Sequence, residues 1–261
     1  MIPSRNRASH LLRLFRRAPV LDTPSTFIGL ERDDEIGYRS VLRTFKRVSV
    51  VWVSNPRHTP GPAREQLRKA ACSVGYDQYV LTDDDVSFTS QSLTNLLAAQ
   101  TAYEDAVGQS AAVSGFHSIL RLYDQEAIER TSTHYGGYHT YQKVSFMMWA
   151  VPAPFLEQYT YPDDAGAIDD VYTGMAALRW GLTEWRVCVD APFNAEPRWS
   201  AGGMGTEPER VKALGHSIAR IAEDFPEYVS KDSVSTKFNF NRMIEMARHK
   251  QSNVKRGRTW R

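Results

Sequence analysis

The sequence predicts a single α/β domain, with a mainly parallel, mixed sheet, helices on its faces and a helical extension at the C-terminus. Three observations predict it. Short segments rich in β-branched and aromatic residues alternate with segments of helical periodicity through the first two-thirds of the chain. Of 261 residues, 42% are hydrophobic, enough for one large core. Glycine and proline stand at the ends of several periodic segments, where a helix begins or stops.

The strands are expected at Thr26 to Leu30, Val48 to Val53, Gln78 to Thr82, Ala111 to Phe116, Val144 to Val151 and Trp185 to Val189. The opening Met1-Ile2-Pro3-Ser4-Arg5 reads as the end of a first strand and the loop after it. Either that strand is very short or the translation start lies upstream of Met1. The first helix has Pro62 in its first turn, Leu67, Ala70, Ala71 and Val74 behind it, and Gly75 at its close. The second takes Ser90 as its cap and Leu93, Leu96 and Leu97 as its inner face. The third begins near Asp169, buries Val171, Met175 and Leu178, and stops at Gly181. The fourth runs from about Pro208 through Val211, Leu214, Ile218 and Ile221 and ends before Phe225-Pro226.

Composition narrows the function classes. A net charge of +2 is uninformative, yet the charge is uneven: Arg5 to Arg17 and the segment from Arg248 to Arg261 are both arginine-rich or basic. Such runs either attract polyanions or are simply solvated. Two cysteines, Cys72 and Cys188, offer neither metal-ligand spacing nor a disulfide framework, and read as small buried hydrophobes of a reducing compartment. No apolar run approaches a membrane span and no signal-peptide core opens the chain, so a cytoplasmic protein is expected.

The most informative passage is Tyr79-Val80-Leu81-Thr82-Asp83-Asp84-Asp85-Val86. Three adjacent carboxylates repel one another, so a buried strand end holds them only beside a compensating cation. Hard divalent ions such as Mg2+ or Mn2+ take oxygen ligands and share them with substrate phosphates. Ligands of α/β sheets also bind at strand C-terminal ends. Alternate residues Asp83 and Asp85 then face one side, reaching a metal and a ribose. The bland alternative is a solvated acidic turn capping the next helix. The pair Asp169-Asp170 opens the third helix. It is either a helix cap or the source of a general base that deprotonates an acceptor hydroxyl.

Other chemistry-bearing residues read more plainly. His117, His134 and His139, near Tyr141 and Lys143, are either polar loop histidines or contacts for a metal or acceptor, and His216 reads as structural. Trp149 and Trp185 fall in strands and belong to the core, whereas Trp199, beside Asn194, Arg198 and Gly202-Gly203, lies in a loop suited to stacking.

Taken in order, Pro3-Ser4-Arg5-Asn6-Arg7, the strand Thr26 to Leu30 followed by Glu31 and Tyr38, Pro62-Ala63-Arg64 and Leu81-Thr82-Asp83-Asp84-Asp85 resemble GT-A (Rossmann-like) glycosyltransferases. The resemblance implies that the first loop (Pro3, Ser4, Arg5) and the next strand end (Glu31) hold the nucleotide base. It implies that Arg64 approaches the diphosphate, while the aspartates hold ribose (Asp83, Asp84) and metal (Asp85, Asp83). Asp169-Asp170 before Leu178-Arg179-Trp180-Gly181 is similar to the motif supplying the acceptor base, a role that usually falls to its second member, here Asp170. More narrowly, Ser4-Arg5-Asn6-Arg7 is similar to a serine-arginine-glycine-arginine signature. With Gly202-Gly203 and a helix ending in Phe225-Pro226, it resembles the phage TET-associated glycosyltransferases. That family implies transfer of a sugar from a nucleotide-diphospho-sugar to hydroxymethylated pyrimidines in DNA, in the host cytoplasm. Asn6 replaces the usual glycine, and Met204 sits where a cysteine often follows the glycine pair.

The resulting expectation is a metal-dependent, inverting GT-A domain over 1–230 and a basic C-terminal extension over 231–261. Competing expectations are a GT-A enzyme acting on a polysaccharide or protein, a non-catalytic nucleic-acid-binding protein, and a nucleotidyltransferase.

Overall fold

The computed structural model of the chain is described at residues 1–55, 60–108, 111–116, 133–135, 138–141, 148–163, 169–188, 194–195, 220 and 223–226. Strands β1 (Ile2–Ser4), β2 (Phe27–Glu31) and β3 (Ser49–Val53) form a parallel sheet in the order β1-β2-β3. Six further strands pair as β4-β9-β6-β10-β8-β7, with β4 at Gln78–Thr82, β6 at Ala111–Phe116, β7 at Thr133–Tyr135, β8 at Tyr138–Tyr141, β9 at Met148–Pro152 and β10 at Thr183–Cys188. The two sheets are stitched at β1 and β4. The Met1 amine donates to the Val80 carbonyl at 2.7 Å, and the Thr82 N–H donates to the Met1 carbonyl at 3.2 Å. That pattern sets Met1 beside Leu81 as in a parallel ladder.

The sheet is mixed, as the sequence predicts, but its parallel character is concentrated in β1-β2-β3 and in the β6–β10 pair. Strand β9 runs antiparallel to both β4 and β6, and β8 runs antiparallel to β7 and β10. Periodicity reports which face a residue occupies and says nothing of strand direction, so the antiparallel insertion is invisible to it.

Helices cover both faces. Alternate side chains of one strand feed opposite cores: Tyr79 and Leu81 point to one, Val80 to the other; Trp149 and Val151 oppose Met148 and Ala150. The first core is closed by helix α1 (Ala8–Arg17) through Leu11, Leu14 and Phe15, by α2 (Glu35–Thr44) through Tyr38 and Val41, and by α4 (Ser90–Val107) through Leu96 and Ala99. The second is closed by α3 (Pro60–Cys72) through Leu67 and Ala71, α5 (Ala153–Gln158) through Phe155 and Leu156, and α6 (Asp169–Trp180) through Ala177. Trp149 is fully buried there, as its strand position predicts.

Close approach of α3 is built into two glycines. A Cβ on Gly29 would lie 3.0 Å from Leu67 Cδ1, and one on Gly61 would lie 2.3 Å from the Pro162 carbonyl oxygen. Beyond Gly61, Glu65 accepts from Arg68 Nε and Nη2 at 2.8 Å each and from the Tyr161 N–H at 3.1 Å. Arg68 Nη1 also donates to the Leu156 and Glu157 carbonyls at 3.1 and 3.2 Å. These charge-assisted bonds hold Glu65 below the usual carboxylate range although burial pushes the other way. Helix α3 is thereby keyed to the chain that leads toward α6.

Several element ends differ from expectation for local reasons. Helix α4 is capped by Thr89 rather than Ser90, because Thr89 and Ser92 exchange side-chain and backbone bonds in a capping box. Gly181, in a left-handed conformation at φ 104°, ends α6 as its spacing implies. Helix α1 is missing from the sequence reading, where its arginines read as a solvated run. Leu11, Leu14 and Phe15 nevertheless define a buried stripe at helical spacing. Of the fourth predicted helix only Arg220, Glu223 and Asp224 are described, all three helical, and Phe225 just beyond them is buried against Tyr172 of α6; the basic extension 231–261 lies outside the described residues. No helix among the described residues is long and apolar enough to cross a membrane.

Candidate active site

Strand β4 ends at Thr82, and the chain turns through Asp83, Asp84 and Asp85, the Val86 N–H donating to the Asp83 carbonyl at 3.4 Å. Strand β5 (Val86–Ser87) then pairs with β11 (Asn194–Ala195). The three carboxylates point in different directions. Asp84 is turned inward, 5% exposed, whereas the side chains of Asp83 and Asp85 are 47% and 27% exposed. Asp83 and Asp85 are thus the more exposed members of the triplet.

Each carboxylate meets a guanidinium. Arg64 Nη2 of α3, a side chain only 4% exposed, donates to Asp83 Oδ1 at 2.6 Å. Arg7 Nη1, from the loop after β1, donates to Asp85 Oδ2 at 2.7 Å and lies 3.4 Å from Asp84 Oδ1. The compensating cation that the triplet demands is therefore supplied, within the protein alone, by Arg7 and Arg64. Compensation is incomplete for Asp84. Burial, with the neighbouring charges of Asp85 and Asp83, pushes it up to about 7 despite the Ser4 hydroxyl and Arg7. Asp85 is also raised, by burial and by Asp83, against Arg7 and His10.

The remaining predicted residues converge on the same strand ends. Pro3 is the centre of β1. Ser4 closes β1 and donates to Asp84 Oδ2 at 2.5 Å. Arg5 Nε stands 3.4 Å from Glu31 Oε2 at the end of β2. Asn6 has a left-handed backbone, φ 53°, a conformation that asparagine tolerates better than most side chains. Four segments far apart in sequence thus meet at the C-terminal ends of β1, β2 and β4.

Asp169 and Asp170 open α6. Their side chains lie outside the described residues, as do His117, His216, Trp199, Arg198 and Gly202-Gly203. His134 and His139 are partners across the β7–β8 ladder.

Two residues of this site, Arg7 and Tyr38, stand in the motifs quoted above without a role of their own, and a third, Asp34, is not marked by the sequence at all. Tyr38, 1% exposed on α2, bonds Ser4 Oγ at 2.7 Å and accepts the Arg7 N–H at 2.9 Å. Asp34 Oδ2 accepts the Asn6 N–H at 3.0 Å. The demand of the triplet for a buried cation was the signal that could have singled out Arg7.

Among the described residues no cluster of three or more His, Cys, Asp and Glu side chains forms a metal cage. The donor set on offer is the outward pair Asp83 and Asp85, each with one oxygen bonded to a guanidinium. Two hard carboxylates fit Mg2+ or Mn2+, which take one or two from protein and fill the rest of the shell with water and substrate phosphate.

No protein-family model matches the chain, and no curated protein matches it. Solved structures do. The chain is similar to residues 1–349 of S. aureus TarS, with a TM-score of 0.51 at 11% identity, over 100% of this chain and 91% of that one. The same TarS segment in complex with UDP gives 0.51 at 12%, over 100% and 92%. A longer TarS structure gives 0.53 at 13%, over 85% of this chain and 39% of that one. At such identities the likeness concerns the fold, and the fold is GT-A-like: a mixed α/β sheet with a parallel three-stranded part flanked by helices.

Proposed function

We propose that the chain is a metal-dependent glycosyltransferase that moves a sugar from a nucleotide-diphospho-sugar to the hydroxyl of a hydroxymethylated pyrimidine in DNA. One observation carries this reading. Ser4 and Arg5, Glu31, Arg64 and the triplet Asp83-Asp84-Asp85, marked separately along the sequence, converge where α/β sheets receive ligands. A protein of the same fold has been solved with UDP.

In this reading Pro3, Ser4, Arg5 and Glu31 receive the nucleotide base. Arg64 and the outward Asp83 lie where diphosphate and ribose arrive, and Asp84 anchors the turn from below. Mg2+ or Mn2+, held by Asp83 and Asp85, would neutralise charge on the departing diphosphate. Asp170, with Asp169 beside it at the start of α6, takes the proton of the acceptor hydroxyl as that oxygen attacks the anomeric carbon. A single displacement of this kind inverts the anomeric centre, so an α-linked donor gives a β-linked product. The DNA acceptor is supported by the resemblance of Ser4-Arg5-Asn6-Arg7 and by the basic residues of 231–261, which would grip phosphates around a flipped-out base. Residues 1–230 form the catalytic domain in this reading.

The decisive assay incubates the protein with MnCl2 or MgCl2, a panel of nucleotide sugars, and DNA with or without hydroxymethylpyrimidine, then weighs the nucleosides. A mass gain of one sugar on the hydroxymethylated nucleoside alone is expected. A nucleotide added in place of a sugar marks a nucleotidyltransferase. Sugar appearing on plain glycans with DNA untouched moves the acceptor. No turnover, with DNA bound, leaves a non-catalytic binding protein.

A further inference from the structure

The loop Ser4–Arg7 is held from behind at two consecutive backbone groups, by helix α2 and by Asp34, the residue just before it. The Asn6 N–H donates to Asp34 Oδ2 at 3.0 Å and the Arg7 N–H donates to the Tyr38 hydroxyl at 2.9 Å. Asn6 is the one non-glycine residue with a positive φ among the described residues, a conformation that L-residues leave unless neighbouring bonds hold it. The direction of the bonds beyond Tyr38 follows from proton supply. A backbone N–H only donates, so the Tyr38 oxygen accepts from Arg7. Ser4 has one proton, which goes to Asp84 Oδ2 at 2.5 Å. Tyr38 therefore donates its own proton to Ser4 Oγ, at 2.7 Å. The chain Arg7 N–H to Tyr38 to Ser4 to Asp84 is buried throughout and ties the first loop to the acidic turn across 80 residues of sequence. With the N–H groups of Asn6 and Arg7 taken by Asp34 and Tyr38, the loop meets a ligand through side chains, Arg5 beside Glu31 among them.

We propose that Tyr38 and Asp34 are positioning residues that set the Ser4–Arg7 loop for nucleotide binding. The proposal rests on the glycosyltransferase reading above, and adds residues that would touch neither sugar nor phosphate. Tyr38→Phe keeps the ring and its packing while removing both hydroxyl bonds. Asp34→Ala removes the acceptor for Asn6, whereas Asp34→Asn retains an oxygen there. Asn6→Ala forces a side chain without local hydrogen bonds into the left-handed region, and Asn6→Gly does not.

Isothermal titration with UDP, GDP, ADP and CDP, each with MgCl2, identifies the nucleotide that the wild-type chain binds tightest. That nucleotide should bind about ten-fold more weakly to Tyr38→Phe, Asp34→Ala and Asn6→Ala, the loss expected for one or two bonds. Asp34→Asn and Asn6→Gly should bind like wild type. Thermal unfolding of each variant separates this role from a purely structural one, which would lower the melting temperature and leave affinity unchanged. Wild-type affinity in a folded Tyr38→Phe chain, or an Asn6→Gly chain as weak as Asn6→Ala, overturns the positioning role and leaves the enzymatic reading standing. Absence of binding by the wild-type chain to every nucleotide removes both together.

Discussion

Replacing Arg7 by methionine tests the charge balance of the site most directly. The Arg7 side chain is 9% exposed and its Nη1 serves Asp85 at 2.7 Å and the buried Asp84 at 3.4 Å. Methionine preserves much of the aliphatic stem and withdraws the cation. Removing one partner of a buried ion pair costs about 3–5 kcal/mol, because the other charge stays behind without compensation. At about 3 °C per kcal/mol for a domain of this size, the melting temperature falls by roughly 10 °C. The loss depends on pH. Asp84, lifted to about 7, is protonated in the folded chain under mildly acidic conditions and has no charge for Arg7 to neutralise. Calorimetric melting at fixed ionic strength should therefore show a drop near pH 8 that is about twice the drop near pH 5. Equal drops at the two pH values, or one below about 2 °C at the higher pH, would refute the argument that Arg7 compensates the triplet.

Three further outcomes are expected. Wild-type stability should fall as pH climbs from the ordinary carboxylate range toward 7, because the folded chain keeps on Asp84 a proton that the unfolded chain has released. At about 1.4 kcal/mol per unit the span is at most about 4 kcal/mol. Asp84→Asn should abolish that component, and urea midpoints of the two chains that run parallel with pH would contradict it. Gly61→Ala should destabilise by about 1–3 kcal/mol, since its methyl meets the Pro162 carbonyl; an unchanged urea midpoint would show that α3 shifts freely. Asp170→Asn should lower turnover by about 10²–10⁴-fold while nucleotide affinity, measured by titration, stays as in wild type. Turnover within a factor of three would move the base elsewhere.

What the sequence makes legible is what is local. Strand β4 and strand β6 fall on the predicted residues, β4 because its β-branched and aromatic run gives way to the acidic turn after Thr82. Helix α6 is bounded by an acidic start and by Gly181. The convergence of Ser4, Arg5, Glu31, Arg64 and the triplet follows from parallel strands that deliver their C-terminal ends to one edge. The pairings within it do not follow. Arg7 and Asp85 are 78 residues apart and Arg64 and Asp83 are 19 apart, and nothing in either segment names its partner. Tyr38 stands in the sequence only as a residue after Glu31, and the partners of its hydroxyl, Ser4 and Arg7, are set by the fold. The antiparallel strand β9 is likewise set by long-range pairing.

Strand β4 carries its odd–even rhythm as far as Asp83 and Asp84, whereas Asp85, further round the turn, meets Arg7. Tyr79 and Leu81 belong to the core beneath α3, and Asp83, next in that series, finds Arg64 on α3. Val80 belongs to the core beneath α1 and α2, and Asp84 finds Ser4 and Arg7 on that side. A one-residue insertion or deletion upstream in β4 would exchange these fates, swinging the hidden acid into the crevice and driving an outward one inside. Frame, more than the mere presence of three acids, is what this turn has to preserve.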